Sequence, residues 1–311
     1  MRRTTTYIKI FYFLTLLLSM GTSIRGQANV NDSFENKIET INRQIDKAYI
    51  DNNVEAILSY YNSYATCMPE YHRTLHNKSD ILTYFQQWFA ATKSNNSSRA
   101  IYSVEKINDY LIEIGTFKNE FIKADNSPFV YKGKYFRIWK IEKNKTLTIL
   151  SEIWGSDEDL DRAQFPFIKN TELDIVSEYF ANAKIRKEIE SRNNVISNLI
   201  TKRDGEQHST FYSRDAIYMP YYRPMLIGFE KIKTYYMDHE RAGDINIDSL
   251  QITPNRIIDT GNFVFVEASY GVKWRTIDGA SNGVVAGKNI TVWKRNDKGV
   301  LMIYRQMVNH D

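Results

Sequence analysis

A single cysteine, Cys67, stands among 311 residues, so no disulfide can form within the chain. Two cores of this length can stand without staples, and an oxidising compartment permits disulfides without requiring them. Cys67 lies in an apolar, strand-like run and reads as a small buried residue rather than a reactive thiol. An excess of one charge sign is missing too. The formal charge is +4, but residues 1–28 carry four basic groups and no acid, leaving 37 basic against 37 acidic residues in the rest. A balanced chain gives no electrostatic case for nucleic acid or an anionic membrane as partner. The clearest apolar run, residues 10–20, has eleven residues, short of the roughly 20 that a membrane span needs.

That run sits in a recognisable setting. Arg2, Arg3 and Lys9 precede or open it, and the small residues Gly21, Ser23, Gly26 and Ala28 follow. This is the layout of a signal peptide, with a cut expected after Ala28. The mature chain is therefore expected to be exported: periplasmic, cell-surface or secreted.

What the sequence does have is aromatic surface, with 21 Tyr and 16 Phe, and a 42% apolar fraction that supports packed cores. It also has an internal repeat. At an offset of 151 residues, Tyr60–Phe85 lies on Phe211–Tyr236 without a gap and with nine identities in 26 positions. Among them are Met68 with Met219, Pro69 with Pro220, Tyr71 with Tyr222 and Tyr84 with Tyr235. Tyr110–Phe117 lies on Phe263–Tyr270 at offset 153, and Gly133–Lys140 on Gly287–Lys294 at offset 154. A period near 150 is a duplicated domain rather than a solenoid repeat.

Each unit reads in the same order. Ile38, Ile41, Ile45 and Tyr49, and then Ile185, Ile189, Ile196 and Leu199, carry the three-and-four spacing of an amphipathic helix. A polar break follows at Asp51–Asn53 and at Asp204-Gly205, then a short strand ending in Met-Pro. A second helix covers Ile81–Phe89 and Ile232–Tyr236, and strands fill the rest, with Val104–Lys118 read as one of them. Helices followed by a run of strands predict an α+β fold with an antiparallel sheet. The expected organisation is a leader over 1–28, a first domain over 29–155, a linker over 156–183 with a local helix at 171–181, and a second domain over 184–311.

A helix, a polar break, a Tyr-rich strand ending in Met-Pro, an Ile-x-x-Tyr-Phe helix at Ile81–Phe85 and a late Gly-Lys-Tyr-x-x-x-Trp-Lys strand at 133–140 resemble the nuclear-transport-factor-2-like superfamily. The likeness is nearest to its SnoaL-like and ketosteroid-isomerase-related branches and covers about 36–154 and 184–308. It implies two tandem cone-shaped domains, each a strongly curved sheet wrapped against its helices around an apolar pocket. It also implies sheet-to-sheet pairing, as an intramolecular pseudo-dimer or a homodimer. Fold alone does not settle activity.

No catalytic set is shared by the two units. Glu113, Glu120 and Glu152 lie on strands of the first and Glu267 on one of the second, but Glu113 aligns with Val266 and Glu267 with Ile114. Strand carboxylates are expected on a solvated face. His72 and His76 have the spacing of helical zinc ligands, yet they fall in a turn, so no metal is expected. His239 follows the second helix of the second unit and is expected either to close a pocket or to be solvated, while His208 and His310 show no partner in the sequence. Gly283–Lys288 lacks the spacing and the Ser or Thr of a phosphate loop, and no cofactor is expected. The candidate ligand-binding residues come from the repeat: Met68, Tyr71, Tyr84, Trp139 and Trp154, with Met219, Tyr222, Tyr235 and Trp293, aromatic rings with polar tips among them; core packing, which also preserves identity in a repeat, is the other reading of each. Arg223, Arg305 and Gln306 are added as polar groups that could face a cavity. The leading expectation is a small hydrophobic or amphipathic ligand in one or both cones. An acid–base lyase or isomerase in one cone and a protein-interaction pseudo-dimer are the alternatives.

Overall fold

The computed structural model describes residues 33–169, 179–180, 182–241 and 243–311. The leader lies outside these, as do residues 171–178 and 181 of the expected linker helix. Among the described residues no helix is long and apolar enough to cross a membrane.

The first unit opens with helix α1 over residues 33–50, which buries Ile38, Ile41 and Ile45 along one face. The polar break does not lead straight into a strand. Asn53 caps a short helix α2, Val54–Leu58, by accepting the N–H of Ala56 at 3.0 Å. Such a cap contributes about 1 kcal/mol. Then come β1 (Tyr61–Met68), β2 (Leu75–His76), α3 (Asn77–Ala91), β3 (Thr92–Ile107), β4 (Tyr110–Lys123), β5 (Pro128–Ile141) and β6 (Leu147–Ser156). After the connector, a two-residue strand β7 (Tyr179–Phe180), where a helix was expected, pairs with the second sheet. The second unit repeats the order as α4 (Ala183–Thr201), α5 (Gly205–Ser209), β8 (Tyr212–Met219), β9 (Leu226–Ile227), α6 (Phe229–His239), β10 (Ile245–Asp259), β11 (Phe263–Thr276), β12 (Asn282–Arg295) and β13 (Leu301–His310). Asp204 caps α5 as Asn53 caps α2, accepting from Gln207 N at 3.0 Å.

The fold is α+β in two tandem units. The first sheet runs β2-β1-β6-β5-β4-β3, and the second runs β9-β8-β13-β12-β11-β10-β7, the same order with one strand added. The sheets are mixed rather than purely antiparallel, because β1 pairs with β6, and β8 with β13, in parallel. The helices between them make that crossover possible. The expected strand Val104–Lys118 is instead a hairpin: β3 and β4 turn at Asn108, which adopts φ 52°. Register shifts at Ser94/Asn96, Ile101/Ser103 and Ile138/Trp139 recur at Ile247/Ser249, Pro254/Arg256 and Val292/Trp293. These bulges bend both sheets at matching points and wrap them around their helices.

Alternation along each strand makes two apolar layers. One face turns inward on α1 or α4, giving each unit its own core. The other faces meet: Met68, Ile112, Phe136 and Ile153 pack with Met219, Phe265, Ile290 and Met307. These are equivalent positions in the repeat. The equivalent Tyr71 and Tyr222 touch hydroxyl to hydroxyl at 2.7 Å, so a pseudo-two-fold axis passes between them.

Candidate functional site

The insides of the two cones have diverged. In the first, Glu113 is wholly buried and fully occupied. It accepts from Asn42 Nδ2 at 2.5 Å, Tyr135 Oη at 2.6 Å and Trp139 Nε1 at 2.8 Å. Arg137 donates to Glu152 Oε1 at 2.6 Å and to Asn42 Oδ1 at 2.7 Å, and its guanidinium lies 3.8 Å from Glu113. Burial works against the Arg137 charge, but the Glu152 and Glu113 carboxylates outweigh it and hold the group more basic than usual. Tyr61 donates to Glu152, and Asp46 pairs with Arg99 and Ser97. Charges this deep persist only when paired and hydrogen-bonded. The expectation that strand carboxylates are solvated therefore fails for Glu113 and Glu152, and also for Glu267. That last residue is buried between the sheets against Ser151 and Arg256.

The mouth of the first cone is covered as well. Phe165 of the connector packs edge-on against Tyr71, Phe129 and Tyr131 at 5.0–5.5 Å between ring centres. Gln87 and Lys169 exchange hydrogen bonds of 3.2 and 2.8 Å that hold the connector to α3. A groove of about 710 Å³ remains beneath it, lined by Tyr84, Trp88 and Phe167 among others.

In the second cone the same positions are smaller or neutral. The cross-strand pair Glu113–Arg137 becomes Val266–Thr291 at the same register. Tyr135 becomes Asn289, Glu152 becomes Gln306 and Arg99 becomes Ile252. At the mouth, Phe129 and Tyr131 become Gly283 and Val285. A Cβ on Gly283 would sit 2.9 Å from the Trp274 ring, so only glycine lets that indole lie across the strand. The lost volume appears as a cavity of about 420 Å³. Its walls include Ile252, Val272, Trp274, Tyr235 and Tyr270. A strip of linked polar groups runs along it: Tyr236 to Tyr212 at 2.7 Å, Tyr212 to Gln306, Gln306 to Thr291 at 2.9 Å, and Thr291 to Asn289 at 3.1 Å.

A further polar pair stands in this wall. His208 Nδ1 lies 2.5 Å from Glu240 Oε1, both side chains are buried, and both line the cavity. His208 does have a partner, then, contrary to the sequence expectation. The ring also packs on Tyr236 with centres 4.0 Å apart. The second carboxylate oxygen of Glu240 is buried without a protein partner. His239, the equivalent of Trp88, lies over Tyr235 and also lines the cavity. Burial holds its imidazole below the usual histidine range.

The candidate residues do not converge. Tyr235 lines the cavity of the second cone, and Trp293 lines a void of about 30 Å³ at its base. Tyr71 and Tyr84 line the groove under the connector, and Trp154 edges a small void beside Arg99 and Tyr49. Trp139 is tied to Glu113 inside the first cone. Met68 and Met219 lie between the sheets, and Tyr222 meets Tyr71 at the pseudo-axis. Arg223 sits over the Tyr235 ring at 5.9 Å. Arg305 is bound to Asp215 O and Tyr304 O, outside the cone. Gln306 does face the cavity. Among the described residues no group of three or more His, Cys, Asp or Glu could hold a metal ion.

No family model matches the sequence, and no curated protein matches it. Among solved structures, the chain is similar to a ketosteroid isomerase-like protein from Erwinia carotovora atroseptica. The TM-score is 0.35 and the identity 14%, covering 42% of this chain and 98% of that one. It is also similar to ActVI-ORFA from Streptomyces coelicolor, with a TM-score of 0.38 and 14% identity over 42% and 98% of the two chains. A nuclear transport factor 2-like superfamily protein from Salmonella enterica gives 0.35 and 17% over 42% and 93%.

Proposed function

We propose that this is an exported protein whose second cone binds one small, mainly apolar molecule, while its first cone serves as a filled structural partner. The observation that carries this reading is the contrast between equivalent interiors. The first holds a saturated network of charges, and the second holds a cavity of about 420 Å³ with apolar and aromatic walls and a polar strip. A largely apolar enclosure with a few convergent polar groups is the usual form of a small-molecule site. The basic and apolar N-terminus supports export.

The buried His208–Glu240 pair favours a second reading, an acid–base lyase or isomerase. A carboxylate beside an imidazole orients the ring and fixes which nitrogen carries the proton, leaving the other to exchange a proton with a bound molecule.

The test is native mass spectrometry of residues 29–311 taken from a secreting host, compared with the denatured mass. One extra mass per chain is expected. It should be lost in Ile252→Arg, which restores the first unit's larger residue, and kept in Tyr71→Phe. Two ligands per chain, or a ligand retained by Ile252→Arg with its fold intact by circular dichroism, would count against the assignment to the second cone.

A further inference from the structure

At the base of the second cone stands an indole whose N–H has no acceptor. Trp293 is 2% exposed, and its Nε1–H is buried without a hydrogen bond. Its equivalent, Trp139, gives that proton to Glu113 at 2.8 Å. The duplication has replaced Glu113 with Val266, and no other protein group has taken over the acceptor's place. That place is open: the void of about 30 Å³ lies between Val266, Trp293, Asn289 and Thr291. It shares Ile196, His208, Ile252, Asn289 and Gln306 with the larger cavity above, so the two adjoin. An orphaned buried donor is destabilising, a cost that a ligand atom can remove.

The surroundings limit what that atom can be. In the first cone the Glu113 charge is balanced by Arg137, which is Thr291 in the second. None of the residues lining the void carries a permanent positive charge; the Arg192 guanidinium lies over the face of the Trp293 ring, 5.6 Å from its centre, outside that lining, and His208 is already held by Glu240. A carboxylate there would be buried without an ion-pair partner in the wall of the void, at high cost. We infer that the ligand of the second cone is a mainly apolar compound with a neutral carbonyl or ether-type oxygen at its buried end. That oxygen accepts the Trp293 N–H where the first cone has the Glu113 carboxylate. This rests on the second cone being the binding site.

Two probes of nearly equal shape test it on the full mature chain. 2-Acetylnaphthalene carries the acceptor oxygen, and 2-isopropenylnaphthalene replaces it with a methylene. Dissociation constants come from naphthalene fluorescence, in the wild type and in Trp293→Phe. The ketone should bind about tenfold tighter in the wild type, the scale of one recovered buried hydrogen bond, and the two should bind equally in Trp293→Phe. In the wild type the ketone alone should shift one of the five indole N–H resonances, the one missing from the Trp293→Phe spectrum. Equal affinities in the wild type would overturn the inference while leaving the cavity as a binding site. That result is expected if a water already fills the void, since a space of that size can hold one. A ketone preference that survives Trp293→Phe would overturn it too. Binding of neither probe would overturn both the inference and the reading on which it rests.

Discussion

His310 ends the last strand with its ring 3.9 Å from that of Tyr221, in the wall of the second cone. Burial, reinforced by the nearby Lys288 charge and opposed by Asp311 and Asp159, lowers its pKa to about 4. The unfolded chain titrates near 6.5. Between those values the unfolded state binds more protons than the folded one, so stability rises with pH across the window and is lost as pH falls through it. The loss is at most about 3 kcal/mol at pH 4. Burial also lowers His72, His76 and His239, which act with the same sign, whereas it raises Glu70, which acts against them. Denaturant titrations of His310→Gln from pH 7 to pH 4 should therefore show a shallower decline than the wild type; parallel curves would remove this group as a cause. At this scale the sequence was only partly legible. Searching for identities between the units led to Trp139 and Trp293, which pack alike. The chemistry lies in the differences: Ile57 becoming His208, Glu113 becoming Val266, Arg137 becoming Thr291. Reading the repeat for what it fails to conserve would have pointed to the second cone. Glu240 is 32 residues from His208, and only the fold brings the two together.

The elements were legible where period or repeat was strong, as in α1, α4, β5 and β12. They were lost where polarity hid them. β3 begins Thr-Lys-Ser-Asn-Asn-Ser-Ser and forms a sheet edge with many exposed positions, so it shows no clean alternation, and the strand expected from the sequence begins only at Val104. The short helices α2 and α5 were lost because five residues carry no period. The turns preserve the duplication more faithfully than the strands do. Every positive-φ site in the first unit has a partner in the second: Asn52 with Arg203, Tyr71 with Tyr222, Asn77 with Gly228, Asn108 with Gly261, Asn126 with Gly279, and Lys145 with Gly299. Lys145, at φ 68°, holds a long side chain where its counterpart has glycine. The left-handed region costs a non-glycine residue roughly 1–2 kcal/mol, offset by about 0.5–1 kcal/mol for the extra entropy that glycine loses on folding. Lys145→Gly should thus raise the unfolding free energy by about 0.5–1 kcal/mol, read as a higher denaturant midpoint with an unchanged slope. Its contact with Lys37 uses the backbone carbonyl and survives the change. A lowered midpoint would mean that the Lys145 side chain contributes more than its backbone strain costs.

The layer between the sheets joins the two units into one molecule. Its apolar centre is sealed by polar contacts across the pseudo-axis: Tyr304 Oη to Glu105 at 2.8 Å, Arg256 Nη2 to Tyr64 O at 2.6 Å, and Asn309 Nδ2 to Trp154 O at 2.5 Å. Cut away from the first unit, residues 182–311 would expose Met219, Phe265, Ile290, Val292 and Met307 together, a patch of a kind that soluble monomers rarely leave bare. The natural cover is a second copy of the same fragment. The two faces descend from one repeat and already meet through equivalent residues, which is the geometry of an isologous dimer. The polar groups agree. Ser151, which now donates to Glu267, is equivalent to Arg305. A second copy would therefore set an arginine opposite Glu267, exchanging a hydroxyl for an ion pair. The excised fragment is expected to elute and scatter light as a dimer, and Ile290→Asp within it to give a monomer or to unfold, since a carboxylate there would be buried unpaired. A folded, monomeric wild-type fragment would show that this face needs no cover, and that the cohesion of the whole chain comes from the connector rather than from the paired sheets.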